Sequence, residues 1–163
     1  MIKIDINQII HFAEVIETAG AEFYLKAADI SSGETKKVFK SLAAMEENHK
    51  ETFAKMFQAR NDVEDYLESF DPDDGTGLYL EYTVKSDVFG VDPATIIKGN
   101  ESAIDLLEFA IAREKDTVVF YKSMKDAISM PADKAIVEKV IKEEYGHILT
   151  LTDIMVKIKD KGH

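Results

Sequence analysis

The sequence predicts an all-α protein, an antiparallel four-helix bundle built from two helical hairpins that a long crossover joins. Its prolines, at positions 72, 93 and 131, all lie outside four long stretches of helical periodicity. Only a few residues separate the first stretch from the second and the third from the fourth, so each pair is expected to fold back on itself. About forty residues separate the second stretch from the third, enough to carry the chain from one end of a bundle to the other.

The four helices follow one another within a single expected domain, residues 1–163. Helix A ends at Ser31-Ser32-Gly33, helix C follows the helix-unfriendly Gly99-Asn100, and Pro131 suits the first turn of helix D. The crossover contains turn-forming residues and has room for one or two short helices. The predicted bounds are about 6–30 for helix A, 34–60 for B, 61–101 for the crossover, 102–128 for C and 131–159 for D.

Composition excludes several classes of function. The formal net charge of −11 argues against a nucleic-acid partner and against an anionic membrane surface, which both need clustered Lys and Arg. There is no cysteine, which excludes disulfides, thiolate zinc sites and iron–sulfur or rubredoxin-type centres in this sequence. No signal peptide and no apolar run of membrane-spanning length is recognisable, so we expect a cytoplasmic protein.

The two halves of the sequence repeat each other. Glu17 is followed by Phe23-Tyr24, and Glu114 is followed by Phe120-Tyr121 at the same spacing. The pair Glu46 and His49 is matched by a second Glu-x-x-His pair in helix D, 98 residues later. A duplicated helical hairpin is the simplest explanation, and two hairpins with one long crossover form the ferritin-like connectivity.

Polar residues interrupt the apolar stripe of every helix at a similar depth. Burying four unpaired carboxylates would be untenable, and no Lys or Arg occupies these stripes. Two divalent cations would neutralise four glutamates, and each histidine would add one nitrogen ligand. Carboxylate and imidazole ligands suit iron or manganese, and zinc tolerates them. The predicted metal ligands are Glu17, Glu46, His49, Glu114, Glu144 and His147.

Other polar residues receive different predictions. A metal-free hydrogen-bonded network across the bundle is the alternative to a metal site. Tyr24 and Tyr121, two turns beyond a stripe glutamate, are either hydrogen-bond partners of the ligand carboxylates or ordinary core aromatics. His11 and His163 are expected at the surface. Solvated helix faces are expected to hold the neighbouring acidic residues Glu14, Glu47, Glu108 and Glu143.

These motifs make the sequence similar to the rubrerythrin-like branch of the ferritin-like superfamily. The resemblance rests on Glu17-x-x-Gly-x-x-Phe-Tyr, Glu46-x-x-His49, Glu114-x5-Phe-Tyr and Glu144-x-x-His147, which together extend over all four helices. It implies a di-iron centre (Fe2+/Fe3+) held by the six residues named above. It further implies that Glu46 and Glu144 bridge the metals, while Glu17 and Glu114 are terminal or switching ligands.

Two departures from that family bear on activity. Rubrerythrins proper add a rubredoxin domain, whereas this chain has no cysteine. They also carry a further glutamate one turn before the helix C ligand, where this chain has Ile111. The resemblance therefore implies an oxidoreductase that reduces peroxide or oxygen with electrons from a separate donor protein, with a homodimer expected by analogy.

Three other functions stay open at this point. The first is a ferroxidase or iron-handling protein without a storage cage. The second is a helical binding or scaffold bundle that holds structural metal. The third is a hydroxylase of an organic substrate.

Overall fold

Six helices form the part of the protein that the structure describes. The computed structural model describes residues 6–59, 75–86 and 93–161. Its helices are α1 (Ile6–Asp29), α2 (Gly33–Ala59), α3 (Thr76–Ser86), α4 (Pro93–Ile96), α5 (Ala103–Ala127) and α6 (Pro131–Lys161). None of them is both long and apolar enough to cross a bilayer.

The four long helices form two antiparallel hairpins. Helix α1 packs along α2, and α5 packs along α6. Gly33, whose φ of 58° is accessible to glycine at little cost, is the first residue of α2 and follows the tight turn after α1. Helix α5 begins at a capping box in which Ser102 and Asp105 each satisfy a backbone N–H of the other. The predicted bundle of two hairpins is confirmed.

The interior contains two apolar clusters, one toward each end of the bundle. The first joins the start of α1 and the end of α2 to the end of α5 and the start of α6, and includes Ile10, Phe53 and Phe120. The second joins the four opposite ends and includes Phe39 and Leu107. Between them lies the layer of buried glutamates and histidines that interrupts the apolar stripes.

The crossover contributes to the first apolar cluster. Leu80 of α3 is fully buried in it, and Thr83 is buried as well. Helix α3 packs against α1 and α5, and the short α4 packs against α1. Short helices were predicted in this segment; the parts of it at 60–74 and 87–92 lie outside the described residues, as does His163.

Candidate metal centre

All six predicted ligands meet in the middle of the bundle. Helix α1 contributes one glutamate, α5 contributes another, and α2 and α6 each contribute a glutamate and a histidine one helical turn apart. Each of these residues is at most 4% exposed although its neighbours along the stripe are apolar. The residues are Glu17, Glu46, His49, Glu114, Glu144 and His147.

The cluster divides into two overlapping groups that share Glu46 and Glu144. In each group, one ligand atom per residue lies within 4.8 Å of the others. The first, which we call position 1, adds Glu17 and His49 to the shared pair. The second, position 2, adds Glu114 and His147. Two shared carboxylates between two groups are the arrangement that a carboxylate-bridged pair of metal ions requires.

Both histidines direct Nδ1 at the shared carboxylates. His49 Nδ1 lies 2.9 Å from Glu144 Oε1 and 3.4 Å from Glu17 Oε2. His147 Nδ1 lies 2.8 Å from Glu144 Oε2 and 3.2 Å from Glu46 Oε1. The two imidazole rings are nearly parallel, with centroids 5.6 Å apart. Each ring therefore offers one nitrogen to its own position.

The donor atoms of the cluster lack the partners that buried polar atoms normally have. Within the described part of the chain, no hydrogen bond satisfies Nδ1 of His49 or of His147, both carboxylate oxygens of Glu144, Oε2 of Glu17 or Oε1 of Glu46. All these atoms face one another. Because carboxylate oxygens and imidazole nitrogens are ligands for iron, manganese and zinc, two bound cations would satisfy the whole set. The residues present thus fit a two-metal centre.

Two buried tyrosines connect the hairpins around the centre. The Tyr24 hydroxyl of α1 donates to Glu114 Oε1 of α5, and the Tyr121 hydroxyl of α5 donates to Glu17 Oε1 of α1. Each tyrosine therefore bonds the glutamate of the other half. At Glu17 the other oxygen, Oε2, lies 3.4 Å from His49 Nδ1, whereas at Glu114 the bonded Oε1 itself lies 3.4 Å from His147 Nδ1. The tyrosines thus help to orient both carboxylates.

Glu143 corrects the prediction that it belongs to a solvated helix face. Its Oε2 lies 2.7 Å from His49 Nε2, the ring nitrogen that faces away from the cluster. The side chain is 37% exposed, so it connects the buried imidazole to the surface. The sequence signal was a Glu143-Glu144 doublet, but its cross-helix partner could not be recognised from spacing alone.

Gly20 is a second residue whose part in the site was not predicted. A Cβ added there would lie 2.6 Å from Glu46 Oε2, closer than side-chain carbons approach such an atom. Gly20 lies one turn after Glu17 on α1, where the shared carboxylate of α2 comes against the helix backbone. The absence of a side chain at this position is what leaves room for Glu46.

The remaining predicted polar residues lie away from the centre. His11 is exposed, and Glu14 is half-buried on α1. Glu47 and Glu108 are exposed and pair with Lys50 and Lys159, respectively. These four residues therefore match the surface positions expected of them. Ile111 is buried in the second apolar cluster.

Burial and mutual repulsion favour protonation of the metal-free centre. Burial raises the pKa of Glu46, with the charge of Glu17 adding to it, and burial raises the pKa of Glu144 to about 7. Burial alone would lower the pKa of both histidines, but contact with the carboxylates raises it to about 11 for His49 and about 12 for His147. Contact with His147 outweighs burial at Glu114 and lowers its pKa.

We expect the metal-free protein to lose stability as the pH rises from about 5 to 9. The pKa of Glu144 is 4.5 when unperturbed and about 7 here, so between these values the folded state binds more protons than the unfolded state. The folded state also binds more protons at His49 between pH 6.5 and about 11, because its pKa rises between these values on folding. The free energy of unfolding therefore falls with pH, and urea titrations of chelator-treated protein at pH 5, 7 and 9 would measure this. Because metal ions displace these protons, metal affinity should rise over the same range; a metal affinity that falls with pH would contradict the assignment.

The comparisons with known proteins agree with this geometry. The family model for rubrerythrin matches residues 8–86. A crystal structure from Thermotoga maritima, of a protein provisionally assigned as a ferritin-like diiron-carboxylate protein, aligns with a TM-score of 0.72 and 25% sequence identity. The alignment covers 95% of this chain and 97% of that chain. No curated protein matches the sequence significantly.

The fold is ferritin-like, and its interior contains a buried cluster of glutamates and histidines of the kind that suits a diiron-carboxylate centre. Over residues 8–86, which include α1, α2 and α3, the chain is similar to rubrerythrins. The resemblance predicted from the motifs is confirmed.

Proposed function

We propose that the protein is a rubrerythrin-like non-haem di-iron oxidoreductase that reduces peroxide or oxygen with electrons from an external donor. The observation that carries this proposal is the pair of overlapping ligand groups that share Glu46 and Glu144 in a buried layer. Glu17 and His49 would complete the ligand set of one iron, and Glu114 and His147 that of the other. Two adjacent iron ions, when bound, would supply the electrons that break an O–O bond.

The protein's own residues isolate this centre from bulk water. Apolar clusters close the bundle above and below the ligand layer. The hydroxyl protons of Tyr24 and Tyr121 lie on ligand carboxylates inside the layer. Reduction of hydrogen peroxide to two waters consumes two electrons and two protons. Burial, together with the neighbouring glutamates, raises the pKa of both tyrosines, so the protons would come from solvent. Glu143, which is 37% exposed and in contact with His49, lies between the ligand layer and solvent.

Electrons would come from a separate donor, because the sequence contains no cysteine to hold a second redox centre of the thiolate-ligated kind. A separate electron donor, a homodimeric assembly and a cytoplasmic location complete the proposal.

The face between α2 and α6 is suited to small-molecule access. Two open cavities of about 280 and 330 Å³ lie along it, and Glu143 borders both.

The first test is anaerobic loading with Fe(II), followed by rapid mixing with hydrogen peroxide and, separately, with oxygen. We expect two irons per chain and faster oxidation by peroxide than by oxygen. Glu17→Ala removes a position 1 ligand and should lower both the iron content and the oxidation rate. Glu47→Ala, an exposed glutamate on α2, is the matched control and should change neither.

The other outcomes of this experiment select among the alternatives. A clear preference for oxygen would favour a ferroxidase or an oxygenase over the peroxide reductase. Iron that binds in stoichiometric amounts but does not react faster than free Fe(II) would indicate a scaffold with structural metal. Unchanged iron content and kinetics in Glu17→Ala would contradict the ligand assignment itself.

A further inference from the structure

The two histidines of the centre differ on the side that faces away from it. His49 Nε2 contacts Glu143 Oε2 at 2.7 Å. His147 Nε2 is buried and has no hydrogen-bond partner in the described ranges. Both rings are buried to the same extent and both direct Nδ1 at the shared carboxylates. The difference therefore lies in the outer contacts of two otherwise equivalent imidazoles.

The internal repeat explains this difference. Residues of the second Glu-x-x-His pair lie 98 positions after those of the first, so the counterpart of Glu143 in the first half is Met45. Met45 and His147 line the same cavity of about 280 Å³ between α2 and α6. A thioether is only a weak acceptor and cannot replace a carboxylate. The first half therefore lacks the carboxylate that would face His147, whereas Glu143 of the second half faces His49.

A carboxylate on the outer nitrogen changes how a histidine binds metal. When Nε2–H donates to Glu143, the tautomer of His49 is fixed and the Nδ1 lone pair points into position 1. The negative charge also raises the basicity of the ring, which strengthens the bond to a cation. His147 has the same orientation toward position 2 but neither of these effects from a protein carboxylate.

We propose that Glu143 is a positioning residue that makes position 1 the tighter of the two metal positions, so that position 2 fills second and empties first. This inference rests on the proposed ligand set. It concerns the order and strength of metal binding, and its test does not depend on enzymatic turnover.

The primary test is a calorimetric titration of the metal-free protein with Fe(II) under argon. We expect two binding steps for the wild type. Glu143→Ala should weaken the tighter step by about 10- to 100-fold, the usual cost of losing such an outer contact, and leave the other step nearly unchanged. Lys139→Ala is the matched control, because Lys139 is 79% exposed and contacts Glu143 at 3.9 Å; it should leave both steps unchanged.

Two single-position backgrounds assign the effect to a metal position. Glu114→Ala removes a ligand of position 2 only, and Glu17→Ala removes a ligand of position 1 only. Adding Glu143→Ala should weaken the remaining step in the Glu114→Ala background. It should have little effect in the Glu17→Ala background. The reverse pattern, or equal weakening in both, would overturn the proposal.

A gain of affinity at position 2 gives an independent check. Met45→Gln is close to isosteric and brings an acceptor oxygen to the cavity that His147 lines. We expect the weaker step to tighten by about tenfold. An unchanged step in the folded variant would show that the missing acceptor does not weaken position 2, and would overturn that half of the proposal.

The two proposals fail in different ways. Wild-type protein that binds two Fe(II) ions with equal affinity would overturn the inequivalence alone, since the ligand set would stand. Protein that binds no Fe(II) would overturn the ligand set and the proposed function with it.

Discussion

Gly20→Ala should abolish tight metal binding while the protein stays folded. The added Cβ would lie 2.6 Å from Glu46 Oε2 and 3.2 Å from its Cδ, so the shared carboxylate must move. Moving a flexible side chain has a small cost for the fold, and Ala favours a helix over Gly by about 1 kcal/mol. Because a ligand of both positions is displaced, we expect metal affinity to fall by about 100-fold or more. Calorimetric titration and thermal unfolding of the metal-free variant would measure the two effects separately.

Gly146→Ala is the matched control for this prediction. Gly146 is also helical, one residue before His147, but a Cβ there meets nothing within 4 Å. The control should keep metal affinity and gain the same helix propensity. If Gly20→Ala binds metal as tightly as Gly146→Ala does, the close approach of Glu46 to α1 is not needed for the site.

Removing the metal should cause the largest loss of stability, and the Glu144→Gln variant should no longer gain stability from metal. A ligand at a thousand times its Kd stabilises the folded state by about 4 kcal/mol per site, so two sites correspond to roughly 15 to 30 °C in Tm for a domain of this size. Glu144 belongs to both positions, and Gln has nearly the same shape without the charge. Scanning calorimetry with saturating metal and with chelator should show this difference in the wild type and very little in the variant.

Glu47→Gln serves as the control for this second prediction. The residue is an exposed glutamate next to the ligand Glu46 on α2, and its side chain contacts only Lys50 among the described ion pairs. It should keep the full metal-dependent difference in Tm. A metal-dependent increase that survives in Glu144→Gln would mean that the cations bind elsewhere.

Helical periodicity was sufficient to predict the bundle and the layer in which the candidate ligands meet. Residues at i and i+3 share a helix face, so Glu46 and His49 had to point the same way, and the repeat placed Glu144 and His147 at the same depth. The short connections between the first and second helices and between the last two were sufficient to predict the two hairpins. The burial of Leu80 was not predictable, because α3 belongs to the crossover, which has no counterpart in the repeat to indicate which face packs inward.

Contacts between helices account for what the sequence did not reveal at the site. Glu143 lies one position from the stripe, and only the distance across to α2 identifies its partner as His49. Gly20 was recognised as part of a motif, but the need for a residue without a side chain there follows from how closely Glu46 of α2 approaches α1. The tyrosines were predicted as possible partners of glutamates, yet which glutamate each one bonds follows from the packing of α1 beside α5.

The reciprocal tyrosine contacts show that neither hairpin contains a complete centre. Position 1 takes three residues from α1 and α2 and one from α6, while position 2 takes three from α5 and α6 and one from α2. Each hairpin also supplies the tyrosine that the other needs. Two identical hairpins related by a twofold axis would carry the same complementary set. The centre thus has the form of an interface between two similar hairpins, and the Glu143–Met45 difference is a position at which the two halves are not equivalent.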